Sequence, residues 1–244
     1  RARLHIDVLL DAANLSDSAE QTQASLEDAA DLIEQARSQW PDHAMLLRDA
    51  SVVQNRLGHQ DMLQSRIGEA LEHFLSARSI AEKRLAAESQ GNSEQRDLML
   101  TNRYIAQAYL NQNAVEKALM AYQEEIIPIA VRLLQQNTQS DGSMDMRSRR
   151  DVCIAKREFG EILLMHSDAV AAVQPLSEAY ECSTSFLEDY PDDTTALRDY
   201  GRCGASLAGA LIENEQYGRA QIIIATLQIK PHSDLGSWSS QERD

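Results

Sequence analysis

The chain has 244 residues, 43% of them hydrophobic and 25% charged, with a net charge of −15 and a pI near 4.8. That balance suits an ordinary soluble fold. It excludes nucleic acid and anionic membrane surfaces as partners, because both need a basic surface to displace counterions. Aromatics at 5%, five prolines and ten glycines leave a composition rich in residues that lose little entropy in helices.

In chain order, apolar periodicity and punctuation predict a helix near Leu4–Leu15 and a second near Ala24–Trp40. Two hairpins follow, Ala44–Leu57 with Gln64–Glu88 and Glu94–Leu110 with Val115–Gln136. Pro128 falls inside the last of these helices and is expected to kink or end it. Asn137–Asp145, with its Asp141-Gly142 pair, reads as a loop. Then come Arg147–Leu164 with Ala169–Asp189, Thr195–Ile212 with Tyr217–Gln228, and a polar tail from Pro231 that holds Trp238. No apolar run is long enough to span a bilayer and no signal-peptide pattern is present. The chain opens Arg-Ala-Arg without a Met and reads as a piece of a longer protein.

The elements share a register. Arg-Asp recurs at Arg48-Asp49, Arg96-Asp97, Arg150-Asp151 and Arg198-Asp199, at intervals of 48, 54 and 48 residues. Eight residues past each Asp stand Leu57, Ile105, Phe159 and Leu207, each followed by a small residue: Gly58, Ala106, Gly160 and Ala208. Ala70, Ala118, Ala172 and Ala220 come next, and four further on Phe74, Tyr122, Leu176 and Ile224. Small residues let two helices approach closely, and the bulky ones fill the groove beside them. Trp40-Pro41-Asp42 and Tyr190-Pro191-Asp192 mark the same boundary before two of the repeats. Arg-Asp itself is read as structural, capping a helix start or bridging to the adjacent repeat, with a repeating ligand contact as the functional alternative.

These offsets resemble the tetratricopeptide repeat (TPR) consensus, with Leu57-Gly58, Ala70 and Phe74 in one unit and Ile105-Ala106, Tyr109, Ala118 and Tyr122 in the next. Phe159-Gly160, Ala172, Leu176 and Ala179 form a third, Leu207-Ala208, Ala220 and Ile224 with Pro231 a fourth, and Ala29, Ile33, Ala36 and Pro41 a partial leading one. The resemblance implies an all-α fold, a right-handed α-α superhelix of about five helical hairpins forming a TPR-like solenoid. One domain is expected over 1–231, with repeats at 4–41, 44–90, 94–137, 147–191 and 195–231, and a tail at 232–244. The long period is similar to TPR regions appended to bacterial serine/threonine kinases and signalling regulators. By the same resemblance the first helices line a concave groove that presents Asn55, His59, Arg103, Gln107, Arg157, Glu161 and Arg202. The arginines suit bidentate capture of an acidic or carboxyl-terminal peptide. The expected function is a protein- or peptide-binding scaffold in the cytoplasm, not an enzyme, with self-association as the alternative.

Catalytic and cofactor patterns are weaker. Gly201-Arg202-Cys203-Gly204-Ala205-Ser206-Leu207-Ala208-Gly209 lacks the Lys-Ser/Thr ending and preceding strand of a phosphate loop, and reads as a helix of small residues. The six His residues are scattered, and no cofactor or metal is expected. Glu124-Glu125, Glu158 and Glu161 are the only carboxylates considered for an α-helical hydrolase. Cys153, Cys182 and Cys203 are odd in number and widely spaced, and are expected as buried reduced thiols.

Overall fold

A computed structural model describes residues 2–16, 18–87, 91–138 and 145–229. The interior of the expected 137–145 loop and the tail from Pro231 lie outside the described residues. The described chain is all helix and turn, without strand: α1 (Ala2–Leu15), α2 (Ala19–Gln39), α3 (Ala44–Leu63), α4 (Ile67–Ala87), α5 (Asn92–Asn111), α6 (Val115–Ala121), α7 (Ile127–Asn137), α8 (Met146–Met165), α9 (Ala169–Asp189), α10 (Thr194–Glu213) and α11 (Tyr217–Ile229). A π-helical segment, Tyr122–Ile126, joins α6 to α7. The elements pair as five hairpins, and the expected TPR-like class holds. Compactness divides the chain into two units, residues 1–148 and 149–244.

In the first unit, Phe74 of α4 is 1% exposed, and a Cβ on Gly58 of α3 would stand 2.5 Å from its ring. The same fit recurs in the second unit, where a Cβ on Gly160 of α8 would stand 2.5 Å from Cγ of Leu176 on α9. Ala106 and Tyr122 hold the corresponding buried positions in the third hairpin. Between these contacts alanines line the helix seams: Ala70, Ala77, Ala81, Ala118, Ala130, Ala172 and Ala179 are all at 0% exposure. The spacing of small and bulky residues is therefore a packing device in these three hairpins, as expected, but not in the last, where Ile224 is 38% exposed. Of the three glycines in the 201–209 stretch, a Cβ on Gly204 would meet Leu227 at 2.8 Å; Gly201 has open space. All of that stretch is helix α10.

The turn inside each of the last four hairpins is one repeated structure. Ser65, Asn113, Ser167 and Glu215 have φ of 60°, 58°, 64° and 56°, at the same 48-, 54- and 48-residue intervals as Arg-Asp. Around Ser167 the Asp168 N–H donates to the Leu163 carbonyl at 3.0 Å, and the Ser167 N–H to that of Leu164 at 3.0 Å. Arg66 and Ser65, Ala114 and Asn113, and Gln216 and Glu215 repeat the pair. This is the Schellman closure, which satisfies the last helical carbonyls and usually puts glycine at the left-handed position. Ser167→Gly relieves the Cβ penalty there and is expected to raise unfolding free energy by about 1 kcal/mol. A higher denaturant midpoint at unchanged slope would register it, and an unchanged or lower midpoint would contradict it.

The second self-match also has a structural basis. His43 N–H donates to the Trp40 carbonyl at 3.3 Å, and Asp193 N–H to that of Tyr190 at 3.1 Å. Asp193 then caps α10 by accepting from the Ala196 N–H at 2.8 Å, whereas His43 makes no side-chain cap. Pro128 neither ends its helix nor sits in an ordinary α turn. It follows the π segment, where the Ile127 N–H reaches the Tyr122 carbonyl. An i→i+5 turn supplies the space that a proline ring denies to an i→i+4 turn.

One expectation is overturned. Cys153 of α8 and Cys182 of α9 are joined as a disulfide, with a Cα–Cα distance of 5.6 Å, and only Cys203 is a free, buried thiol. Hairpin closure juxtaposes two cysteines 29 residues apart in sequence. Burial pushes the Cys203 thiol up to about 11, which keeps it protonated and unreactive.

Candidate interaction surfaces

In the first unit the first helices are tied side by side. Arg56 of α3 donates to the Leu10 carbonyl of α1 at 3.2 Å. Asn55 donates through Nδ2 to Oγ1 of Thr101 on α5 at 3.0 Å. The His59 ring meets the Tyr104 ring edge-on, with centroids 4.3 Å apart, and lies 5.8 Å from that of Phe74. Asn55 and His59 are thus brought together with Thr101 and Tyr104, two partners that sequence reasoning did not single out. Arg103 is half-buried and Gln107 exposed on α5.

His59 keeps an exposed edge, but desolvation of its ring against these neighbours lowers its pKa below the ordinary 6.5. The unfolded chain therefore binds this proton more readily than the folded one, and His59 opposes folding as pH falls below about 6.5. Stability is expected to decline between pH 7.5 and 5, less steeply in His59→Gln. Parallel pH profiles of thermal unfolding for the two proteins would refute that role.

In the second unit Arg157 gives Glu161 two hydrogen bonds, at 2.8 and 3.0 Å, within α8. Glu158 lies 3.6 Å from the same guanidinium. Ser206 of α10 donates to Glu161 at 2.6 Å, tying the two first helices of this unit together. Arg202 is exposed on α10. Of the carboxylates named for hydrolysis, Glu161 is held by Arg157 and Ser206, and Glu125 by Arg78 at 3.0 Å. Among the described residues no group of His, Cys, Asp and Glu could hold a metal ion, and no helix is long and apolar enough to cross a membrane.

The Arg-Asp register has two structural outcomes. In the second unit Arg150 Nε donates to the buried Asp199 carboxylate at 2.5 Å, bridging α8 to α10 as the structural reading expects. In the first unit Asp97 is held instead by Arg84 of α4 at 2.7 Å, which also takes Glu94 at 2.7 Å. Arg48 and Arg96 line a cavity of about 630 Å³ at the start of the first helices, together with Arg147, Asp97, Asp145 and Asn92. Sequence reasoning read Arg48 and Arg96 as structural, with a repeating ligand contact as the alternative.

Comparison with solved structures agrees with the fold. The chain superposes on the TPR-like repeats of a kinesin-light-chain-type protein from Podosopora anserina with a TM-score of 0.59 at 16% identity, covering 93% of this chain and 95% of that one. A second crystal structure of that protein gives 0.56 at 14%, covering 93% of each chain. BtubC (BKLC) from P. vanneervenii gives 0.58 at 13%, covering 94% of this chain and 90% of that one. No protein-family model and no curated protein sequence matches the chain.

Proposed function

We propose that the chain is a protein- or peptide-binding repeat scaffold, the interaction region of a larger bacterial signalling protein. On this reading the hairpins of residues 1–231 act as one domain, and Asn55, His59, Arg103, Gln107, Arg157, Glu161 and Arg202 contact the partner. The observation that carries the proposal is the repeated hairpin itself: one register of small and bulky residues and one turn structure, as in TPR-like repeat proteins. Scaffolds of this type present polar first-helix positions to partners, while the second helices supply support. The long repeat period, similar to that of TPR regions appended to bacterial kinases, supports the signalling context.

The test uses the full chain as bait, beside an Arg103→Glu/Arg157→Glu double variant checked for helix content by circular dichroism. Partners retained by the parent and lost by the variant support the reading. The same partners on both baits would remove these arginines from the site. The cytoplasmic placement is tested separately, because a Cys153–Cys182 disulfide persists in oxidising compartments. Alkylation at the moment of cell lysis should trap free thiols at both positions if the chain resides in the cytoplasm.

Self-association is the second reading, favoured by α11, which exposes Tyr217, Ile222 and Ile224. Tyr217 and Ile224, seven residues apart, share one side of the helix, and exposed apolar residues grouped in this way mark contact sites in folded proteins. Light scattering across a dilution series separates the readings: a dimer that resists dilution favours the second.

A further inference from the structure

The geometry points to an oxyanion-binding site in the first unit, in the cavity lined by Arg48, Arg96 and Arg147, which takes the carboxylate side chain of an acidic peptide. The inference rests on the reading of the chain as a peptide binder, but uses a surface separate from the residues assigned above. The two units supply the reasoning. Arg48 and Asp97 are 49 residues apart, as are Arg150 and Asp199. In the second unit that pair closes as an ion bridge. In the first, Asp97 is taken by Arg84, which is 6% exposed and also holds Glu94. The position in α9 that corresponds to Arg84 is Phe186, thirteen residues before Asp199, and it has no charge to offer. Arg84 therefore displaces Arg48 from the carboxylate it would otherwise meet. Arg48 stands exposed on the cavity wall.

The second carboxylate in the lining is also committed. Asp145 accepts from the Ser148 N–H at 2.8 Å and from the Ser148 hydroxyl at 2.7 Å, capping α8. Burial raises its pKa, but these bonds and the charges of Arg147 and Arg96 overcome that and hold it below 3.8. With Asp97 held by Arg84 and Asp145 by Ser148, the cavity presents the exposed guanidinium groups of Arg48 and Arg147 on a protein of net charge −15. Guanidinium forks match carboxylate oxygens in pairs. Of the remaining polar lining, Asn92 donates to Asn137 and Asn137 donates to Ser148 at 2.8 Å, so these side chains brace the wall and leave the ligand contacts to the arginines. A volume of about 630 Å³ accommodates a side chain and its flanking backbone.

The test is fluorescence anisotropy of fluorescein-labelled tetraglutamate with the whole chain, with inorganic phosphate as competitor. Saturable binding is expected, weakened about tenfold by Arg48→Ala and likewise by Arg147→Ala. Both residues are exposed, so the fold should survive. Arg219→Ala, an exposed arginine of α11, should bind as the parent does. Lack of saturable peptide binding overturns the proposal. So does equal binding by an Arg48→Ala/Arg147→Ala double variant, or binding of phosphate without peptide, which would mark a free-ion site. Cellular partners lost in Arg103→Glu/Arg157→Glu but kept in the cavity variant would leave the scaffold reading intact while this one fails.

Discussion

Phe74→Ala should cost about 3–5 kcal/mol of unfolding free energy, measured by chemical denaturation. The ring is 1% exposed, stacks on Tyr104 with centroids 5.5 Å apart, and occupies the space beside Gly58. Truncation removes the buried area and leaves a cavity among Ala70, Ile105, Ala108 and Tyr104. Gly58→Ala is the complementary insult. Its methyl would stand 2.5 to 2.9 Å from three ring atoms, so the helices must part or the ring must turn, at about 1–3 kcal/mol. The double variant should lose less than the sum of the two, because the new methyl enters the space the ring vacates. Strict additivity would show that the Gly58–Phe74 contact does not set the spacing of this hairpin.

The disulfide carries the second large effect. Replacing Cys153 and Cys182 together by Ser should cost about 3–4 kcal/mol, the chain-entropy value for a loop closed over 29 residues. Reduction of the parent should lower its denaturation midpoint by a similar amount and leave the double variant unchanged. Under denaturing, non-reducing conditions one thiol, Cys203, should react with an alkylating reagent. Three reactive thiols would refute the bond. In the folded protein Cys203 should react slowly, since burial pushes its thiol up to about 11.

Much of the fold was legible because close helix packing writes a spaced code: a small residue at 58 or 160 answers a bulky one at 74 or 176. α9 falls at Ala169–Asp189, where it was expected, between an Asp168 cap and the Tyr190-Pro191 stop. The four left-handed turns were not legible, because Ser65, Asn113, Ser167 and Glu215 stand where glycine would have announced them. The disulfide was hidden for a different reason. Its cysteines belong to no short motif and meet only once α8 folds back on α9. Of the candidate surface residues, Asn55 and His59 could be chosen by register, but Thr101 and Tyr104 are their partners only through the packing of α3 on α5. The arginine cavity depends on Arg84 reaching Asp97, and no fixed spacing advertises that contact.

The π turn at Tyr122–Ile126 works as a phase shifter. Up to Tyr122 the third hairpin repeats the second at an interval of 48, Tyr122 answering Phe74. Beyond it the buried residues Ile126, Ala130 and Leu133 answer Ala77, Ala81 and Arg84 at an interval of 49. One inserted residue rotates everything downstream by roughly 100° about the helix axis. Arg132, which plain counting would set in the buried slot of Arg84, is turned out of it to line a smaller cavity with Glu82 and Gln95, and Leu133 takes the slot. The extra residue thus decides which hairpin owns a buried arginine: the second hairpin supplies the charge that captures Asp97, and the third, one residue out of step, has only a leucine to offer.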